Sequence, residues 1–133
     1  MQPNDFRRLC HSDLHFIEGT YPHALPAVPG HEASGIVEAV GSDATGFAIG
    51  DAVYSRPDIR RNGTYAEYVA VRAREAALKP ATISHIEAAS LPLVSITAWE
   101  ALITTANLSA GQRVLIHAGA GGVGSIAVQL AKA

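Results

Sequence analysis

Five residues, Arg113-Val114-Leu115-Ile116-His117, lead through Ala118 into Gly119-Ala120-Gly121-Gly122-Val123-Gly124, and residues 125–133 then carry apolar side chains at helical spacing. A strand, a glycine turn and a helix in that order is the context in which GxGxxG carries meaning. The glycines let the backbone turn tightly and approach a pyrophosphate, whose charge then lies at a helix N-terminus. Gly119, Gly121, Gly122, Val123 and Gly124 are therefore expected to bind a nucleotide, with Ile126, Ala127 and Leu130 facing a sheet. This pattern commits the C-terminal end of the chain to an α/β arrangement.

The first half reads differently. Between residues 33 and 71, short apolar runs alternate with turn residues at strand-like spacing. Ile36, Val37 and Val40 form one run, Ala52, Val53 and Tyr54 a second, and Tyr65, Tyr68, Val69 and Val71 a third. Gly41-Ser42-Asp43, Gly46, Gly50-Asp51 and Asn62-Gly63 separate them, and Asn-Gly and Gly-Ser are expected to supply the positive φ of tight turns. The expectation is a β-rich half, a small barrel or curled sheet. Ser84-His85-Ile86-Glu87 then has capping-box spacing. Residues 91–108 are long and mostly apolar, with Trp99 and Leu102 at helical spacing, and Pro92 is expected to divide them into two helices.

Composition excludes several classes of function. The 133 residues are 48% hydrophobic and 17% charged, as in a folded globular chain, and the net charge of −2 gives no electrostatic ground for binding nucleic acid or an anionic membrane. Arg56, Arg60 and Arg61 are the only basic cluster, and Asp58 among them points to a solvated loop. One cysteine, Cys10, cannot form an internal disulfide. No apolar stretch reaches the roughly 18 residues that span a bilayer. The N-terminus lacks the basic-then-apolar pattern of a signal peptide, so a cytoplasmic protein is expected.

Cys10 stands twenty-one residues before His31, which Glu32 follows. Thiol, imidazole and carboxylate are ligand types that zinc accepts together. Taken alone, Cys10 reads as a small apolar residue, and His11, His23, His85 and His117 as ordinary solvated or structural histidines. The stretches Cys10-His11-Ser12-Asp13-Leu14-His15 and Gly30-His31-Glu32-Ala33-Ser34-Gly35, closed by Gly41, resemble the zinc-type alcohol dehydrogenases of the medium-chain dehydrogenase/reductase superfamily. The resemblance implies that Cys10 and His31 are zinc ligands, that Glu32 matches a carboxylate which binds the metal directly in some members and lies behind the ligands in others, and that Asp13 fixes the tautomer of His31; if zinc binds here, Cys10, His31 and Glu32 hold it with a water. It implies that Ser12 lies beside the substrate oxygen and that His15 ends its proton relay. The family's third ligand position falls near Leu93 or Val94, and no further Cys exists for a structural zinc.

Beyond residue 50 the chain is similar to the zinc-free quinone oxidoreductase branch of the same superfamily. Gly63-Thr64-Tyr65-Ala66-Glu67-Tyr68, Leu78-Lys79-Pro80, Ala88-Ala89-Ser90-Leu91-Pro92-Leu93, Thr97-Ala98-Trp99-Glu100-Ala101-Leu102 and Gln129-Leu130-Ala131-Lys132 carry that likeness, as does His117 through Gly124. Pro3 and Asp5 echo an Asn-Pro-x-Asp element of the same branch. In both branches Thr97 matches a residue beside the nicotinamide.

The resemblance implies an α/β chain with a GroES-like β-rich catalytic lobe at 1–80, connecting helices at 81–108, and the first βα unit of a Rossmann domain at 109–133. A family member would extend further at both ends, so the chain is expected to be truncated and the lone C-terminal βα unit poorly stabilised. The implied activity is hydride transfer to or from an alcohol or carbonyl, with NAD or NADP (NADP preferred) and possible zinc assistance. The alternatives are a zinc-free NADPH-dependent quinone or enone reductase, and an inactive fragment of such an enzyme. The implied partners are a small alcohol, carbonyl or quinone substrate and, in a full-length enzyme, a second copy.

Overall fold

A computed structural model of the chain describes residues 6–133, so Pro3 and Asp5 lie outside the described residues. It divides into two compact units, Met1–Pro92 and Leu93–Ala133.

The first unit is organised by a four-stranded antiparallel sheet of β1 (Phe6–Arg7), β2 (Ala33–Ile36), β3 (Ala52–Ser55) and β4 (Ala76–Leu78), in that spatial order. Ser34 lies opposite Phe6 on one side and Tyr54 on the other, and Val53 opposite Leu78. Helix α1 (His11–Ile17) follows β1, and α2 (His85–Ala89) packs on β1, β2 and β3. A half-buried strand alternates between core and solvent, but Ala33, Ser34 and Gly35 of β2 are buried in succession. Their small side chains let both faces of β2 be covered, with Ala88 and Ala89 of α2 buried beside the sheet.

Local signals in the sequence are met where the partners are also local. Ser84 Oγ accepts the Glu87 N–H at 3.3 Å, and the Glu87 carboxylate accepts the Ser84 N–H at 2.7 Å, closing the expected capping box. The third expected strand is a correction. Residues 65–71 join no ladder, because Thr64 and Tyr65 donate their N–H groups to Gly30 O and Pro29 O, and β4 takes the place beside β3. The positive φ expected of Asn62-Gly63 and Gly41-Ser42 is a second correction, since neither Gly63 nor Gly41 takes one. A Cβ on Gly63 would lie 2.0 Å from Gly30 O and 2.6 Å from Pro29 O, so glycine is needed for close backbone approach. Gly46 and Gly50 do take positive φ.

The second unit carries most of α3 (Pro92–Trp99), a π-helical segment (Glu100–Thr105) and α4 (Gly122–Lys132). Pro92 opens α3 instead of interrupting a helix, a position where its missing N–H costs nothing. The change within 91–108 comes instead at Glu100, where the helix widens. Ala98, Leu102 and Ala127 form the core, with Ile116, Ile126 and Leu130 packed against them. Trp99 stays half exposed. Residues 113–117 pair with no strand among the described residues, because a single segment has no neighbour to bond. Ile126, Ala127 and Leu130 therefore face α3, the π-helical segment and Ile116 in place of a sheet. No helix among the described residues is long and apolar enough to cross a membrane.

Candidate functional site

Two short segments of the first unit bring its chemistry together. The first is the start of α1. Cys10 caps the helix in an extended conformation, and Asp13, three residues on, accepts the Cys10 N–H on Oδ2 at 2.8 Å. Asp13 is 2% exposed, so the carboxylate that starts the helix also fixes the backbone of Cys10.

The second segment is Gly30-His31-Glu32, leading into β2. Gly30 has φ +96, and a Cβ there would lie 2.5 Å from Thr64 Oγ1 and 2.9 Å from Tyr65 Cδ1. Three bonds clamp residues 28–30, which lead into this segment, to residues 63–65: Gly63 N–H to Val28 O at 2.7 Å, Thr64 N–H to Gly30 O at 3.0 Å and Tyr65 N–H to Pro29 O at 3.0 Å. Thr64 Oγ1 adds a bond to Glu32 O at 3.1 Å. The clamp leaves His31 and Glu32 buried, at 2% and 1% exposure.

Cys10 Sγ, one nitrogen of His31 and a carboxylate oxygen of Glu32 lie within 4.8 Å of one another, the only such group of metal-ligand types among the described residues. Asp13 Oδ1 stands 3.2 Å from His31 Nδ1. That contact lies off the line of a well-formed hydrogen bond, so its hold on the ring is chiefly electrostatic. With Nδ1 facing Asp13, Nε2 is the nitrogen left to face a ligand. Burial lowers the pKa of His31, against the pull of Asp13 and with the help of the Arg56 charge, so the ring is neutral, as a metal ligand must be. Tyr65 donates its hydroxyl to Asp13 Oδ2 at 2.8 Å. Burial, with this bond, raises the pKa of the phenol and keeps it a donor. A thiol, a neutral imidazole and a buried carboxylate match the donor preferences of zinc.

The remaining residues singled out from the sequence fall as follows. Ser12 Oγ lies 3.7 Å from Cys10 Sγ. His15, one helical turn along α1 from His11, stacks on it at 4.8 Å and is 41% exposed. Val94 is buried and Leu93 half-buried, and neither offers a metal donor. In the second unit Thr97 donates its hydroxyl to Leu93 O at 2.8 Å and is exposed. Gly119, Gly121 and Gly122 of the glycine turn are exposed too, with Gly121 capping α4, whereas Gly124 is buried. A Cβ on Gly124 would lie 2.2 Å from Ala118 O, so this glycine is needed for the turn to fold back on the helix. Val123 is 39% exposed at the start of α4.

Sequence reasoning missed Tyr65 and Thr64 as parts of the site. It placed Tyr65 in a strand, and the bond that gives Tyr65 its place spans 52 residues. No local spacing announces such a bond; the hint in the sequence is that Thr64 and Tyr65 belong to the stretch Gly63 through Tyr68 that carries the family likeness.

The alcohol dehydrogenase GroES-like domain family matches residues 6–81. The chain is 46% identical over 113 residues to a zinc-type alcohol dehydrogenase-like protein of Staphylococcus aureus, covering 80% of this chain and 34% of that one. It is 44% identical over 114 residues to an NADPH-dependent alkenal/one oxidoreductase, chloroplastic, of Arabidopsis thaliana, covering 81% and 29%. The crystal structure of an alcohol dehydrogenase superfamily protein from Novosphingobium aromaticivorans superposes with a TM-score of 0.91 at 38% identity, covering 98% of this chain and 43% of that one. The chain thus spans about a third of the length of these curated relatives.

Proposed function

Because this chain belongs to the medium-chain dehydrogenase/reductase superfamily, an oxidoreductase lineage, we propose that it serves nicotinamide-dependent hydride transfer between NADP(H) and a small alcohol or carbonyl compound. The observation that carries the reading is the convergence of Cys10, His31 and Glu32 within 4.8 Å, with Asp13 behind His31. The Arabidopsis relative is named as NADPH-dependent, which favours NADP over NAD.

In this reading Cys10, His31 and Glu32 hold zinc, which when bound polarises the oxygen of an alcohol or carbonyl. Each protein group has a task that its surroundings suit. Asp13, with Oδ1 beside Nδ1, keeps the ring of His31 turned toward the cluster. Ser12 Oγ, next to Cys10 Sγ, takes the proton of an alcohol substrate at the cluster. His15, its side chain partly exposed on the same helix, passes that proton to water. The nicotinamide cofactor supplies or accepts the hydride. Gly119, Gly121, Gly122, Val123 and Gly124 form a turn, exposed except at Gly124, whose N–H groups and helix N-terminus suit a pyrophosphate. Thr97 serves the nicotinamide end.

The test compares zinc-loaded and zinc-stripped protein in NADP(H)-coupled oxidation of short alcohols and reduction of alkenals. A rate that needs zinc and disappears in Cys10→Ser is the expected result. Equal reduction of an alkenal or quinone by both preparations would instead establish a zinc-free reductase. The buried, donor-free Val94 near the family's third ligand position favours that second reading. Failure of NADPH to bind would leave neither enzyme standing.

A further inference from the structure

We infer that Tyr65 is a positioning residue for His31: its hydroxyl, held on Asp13 Oδ2, keeps Asp13 Oδ1 against His31 Nδ1 and so sets the ring toward the Cys10–His31–Glu32 cluster. The inference rests on the metal reading above and extends it to a residue outside the three ligand-type side chains.

The terminal torsion of an aspartate is broad and roughly two-fold, so burial alone does not decide which oxygen faces which neighbour. Asp13 has three neighbours to satisfy. Oδ2 accepts from Cys10 N at 2.8 Å and from Tyr65 OH at 2.8 Å, while Oδ1 stands 3.2 Å from His31 Nδ1. Two donors on one oxygen, arriving from different parts of the chain, remove the rotation. One donor from the start of its own helix would leave the carboxylate freer to turn away from His31.

Tyr65 is itself well anchored. Its N–H is bonded to Pro29 O at 3.0 Å, and its ring fills the space a Cβ on Gly30 would need, 2.9 Å from Cδ1. The residue thus grips the backbone just before His31 and the carboxylate behind His31 at once. It joins the two segments that supply the ligand types, the start of α1 and Gly30-His31-Glu32. Because the His31–Asp13 contact lies off the hydrogen-bond axis, this outer support has more to do here than behind a well-aligned pair.

Tyr65→Phe keeps the ring and its packing and removes only the hydroxyl. Tyr68→Phe, at an exposed tyrosine, is the control. Two readouts are needed, one without metal. In metal-free protein, nitrogen NMR of the His31 imidazole reports its tautomer, and Tyr65→Phe is expected to move those shifts while Tyr68→Phe leaves them unchanged. In cobalt titrations, wild type is expected to show a thiolate-to-cobalt band that Cys10→Ser abolishes. Tyr65→Phe should bind cobalt about 3- to 10-fold more weakly, below the 10- to 100-fold typical of losing a group in direct contact with a ligand. Its cobalt spectrum should also be altered. Unchanged His31 shifts and unchanged cobalt affinity in Tyr65→Phe would overturn the role of Tyr65 while leaving the metal site intact. Absence of the cobalt–thiolate band in wild type would overturn the metal reading itself, and with it the positioning of His31 for a metal, whatever the NMR shows.

Discussion

The two units bury different kinds of side chain. In the first, the largest fully buried side chains are Glu32, Thr64, Asp13 and Ser34, all of them polar, and every buried polar residue described belongs to this unit. In the second, the buried residues Val94, Ala98, Leu102 and Ala127 are all apolar apart from the turn glycine Gly124. Polar burial costs free energy unless each group finds a partner. In the first unit those partners are mostly distant backbone: Ser34 Oγ donates to Val53 O at 2.8 Å, Ser55 Oγ to Glu75 O at 2.6 Å and Thr64 Oγ1 to Glu32 O at 3.1 Å. Such bonds fix direction as well as distance, which a site with set ligand geometry needs. The second unit holds its helices by a small aliphatic contact that fixes less. The first unit is built to hold side chains at set positions, the second to present a turn.

Glycine substitutions probe this contrast most strongly. Gly63→Ala would place a Cβ against two backbone carbonyl groups that cannot swing aside, so a loss of about 3 kcal/mol or more is expected in denaturant unfolding. Gly41→Ala, with open space and no positive φ, is the control and should stay within about 0.5 kcal/mol. In the second unit, Gly124→Ala gains the helix propensity of alanine but meets Ala118 O. A net loss of about 2 kcal/mol is expected, read as faster hydrogen exchange of the α4 amides. A neutral Gly63→Ala would mean that the clamp on residues 28–30 is looser than described.

How much of this was legible in the sequence follows from how far each partner lies. The Ser84–Glu87 box involves residues three apart, and it was read correctly. The lobe's family was readable because Cys10, Asp13, His31 and Glu32 keep a specific spacing. The strand assigned to residues 65–71 failed because Pro29 and Gly30, far back in the chain, claim the N–H groups of Thr64 and Tyr65. Strand β4, with Ala76 and Ala77, has no alternation that would announce it. Residues 113–117 are aliphatic enough for a strand, but a strand is a property of a pair. Gly63 was read for its φ when the requirement was close approach, a fact that only the fold contains.

Smaller effects sharpen the same contrast. Ser84→Ala removes the acceptor at the start of α2, the helix that packs on the sheet, and should cost about 1 kcal/mol in thermal unfolding. The smallest expected effect is that of pH. Burial lowers the pKa of His31, and of His85, which bonds Ser34 Oγ at 2.7 Å, below the ordinary 6.5. As pH falls through 6.5 the unfolded chain takes up protons that the folded one refuses, so stability is full above 6.5 and declines below it. A denaturation midpoint that is flat across this range would show that these rings are not held neutral.

The central claim is that the polar interior of the first unit shapes a metal site from Cys10, His31 and Glu32. Its most direct test is the metal content of protein equilibrated with zinc and then dialysed, measured beside Cys10→Ser and His31→Ala. Stoichiometric zinc in the native sequence, lost in both variants, is the predicted result. A native chain that retains no zinc, or variants that retain as much, would contradict it.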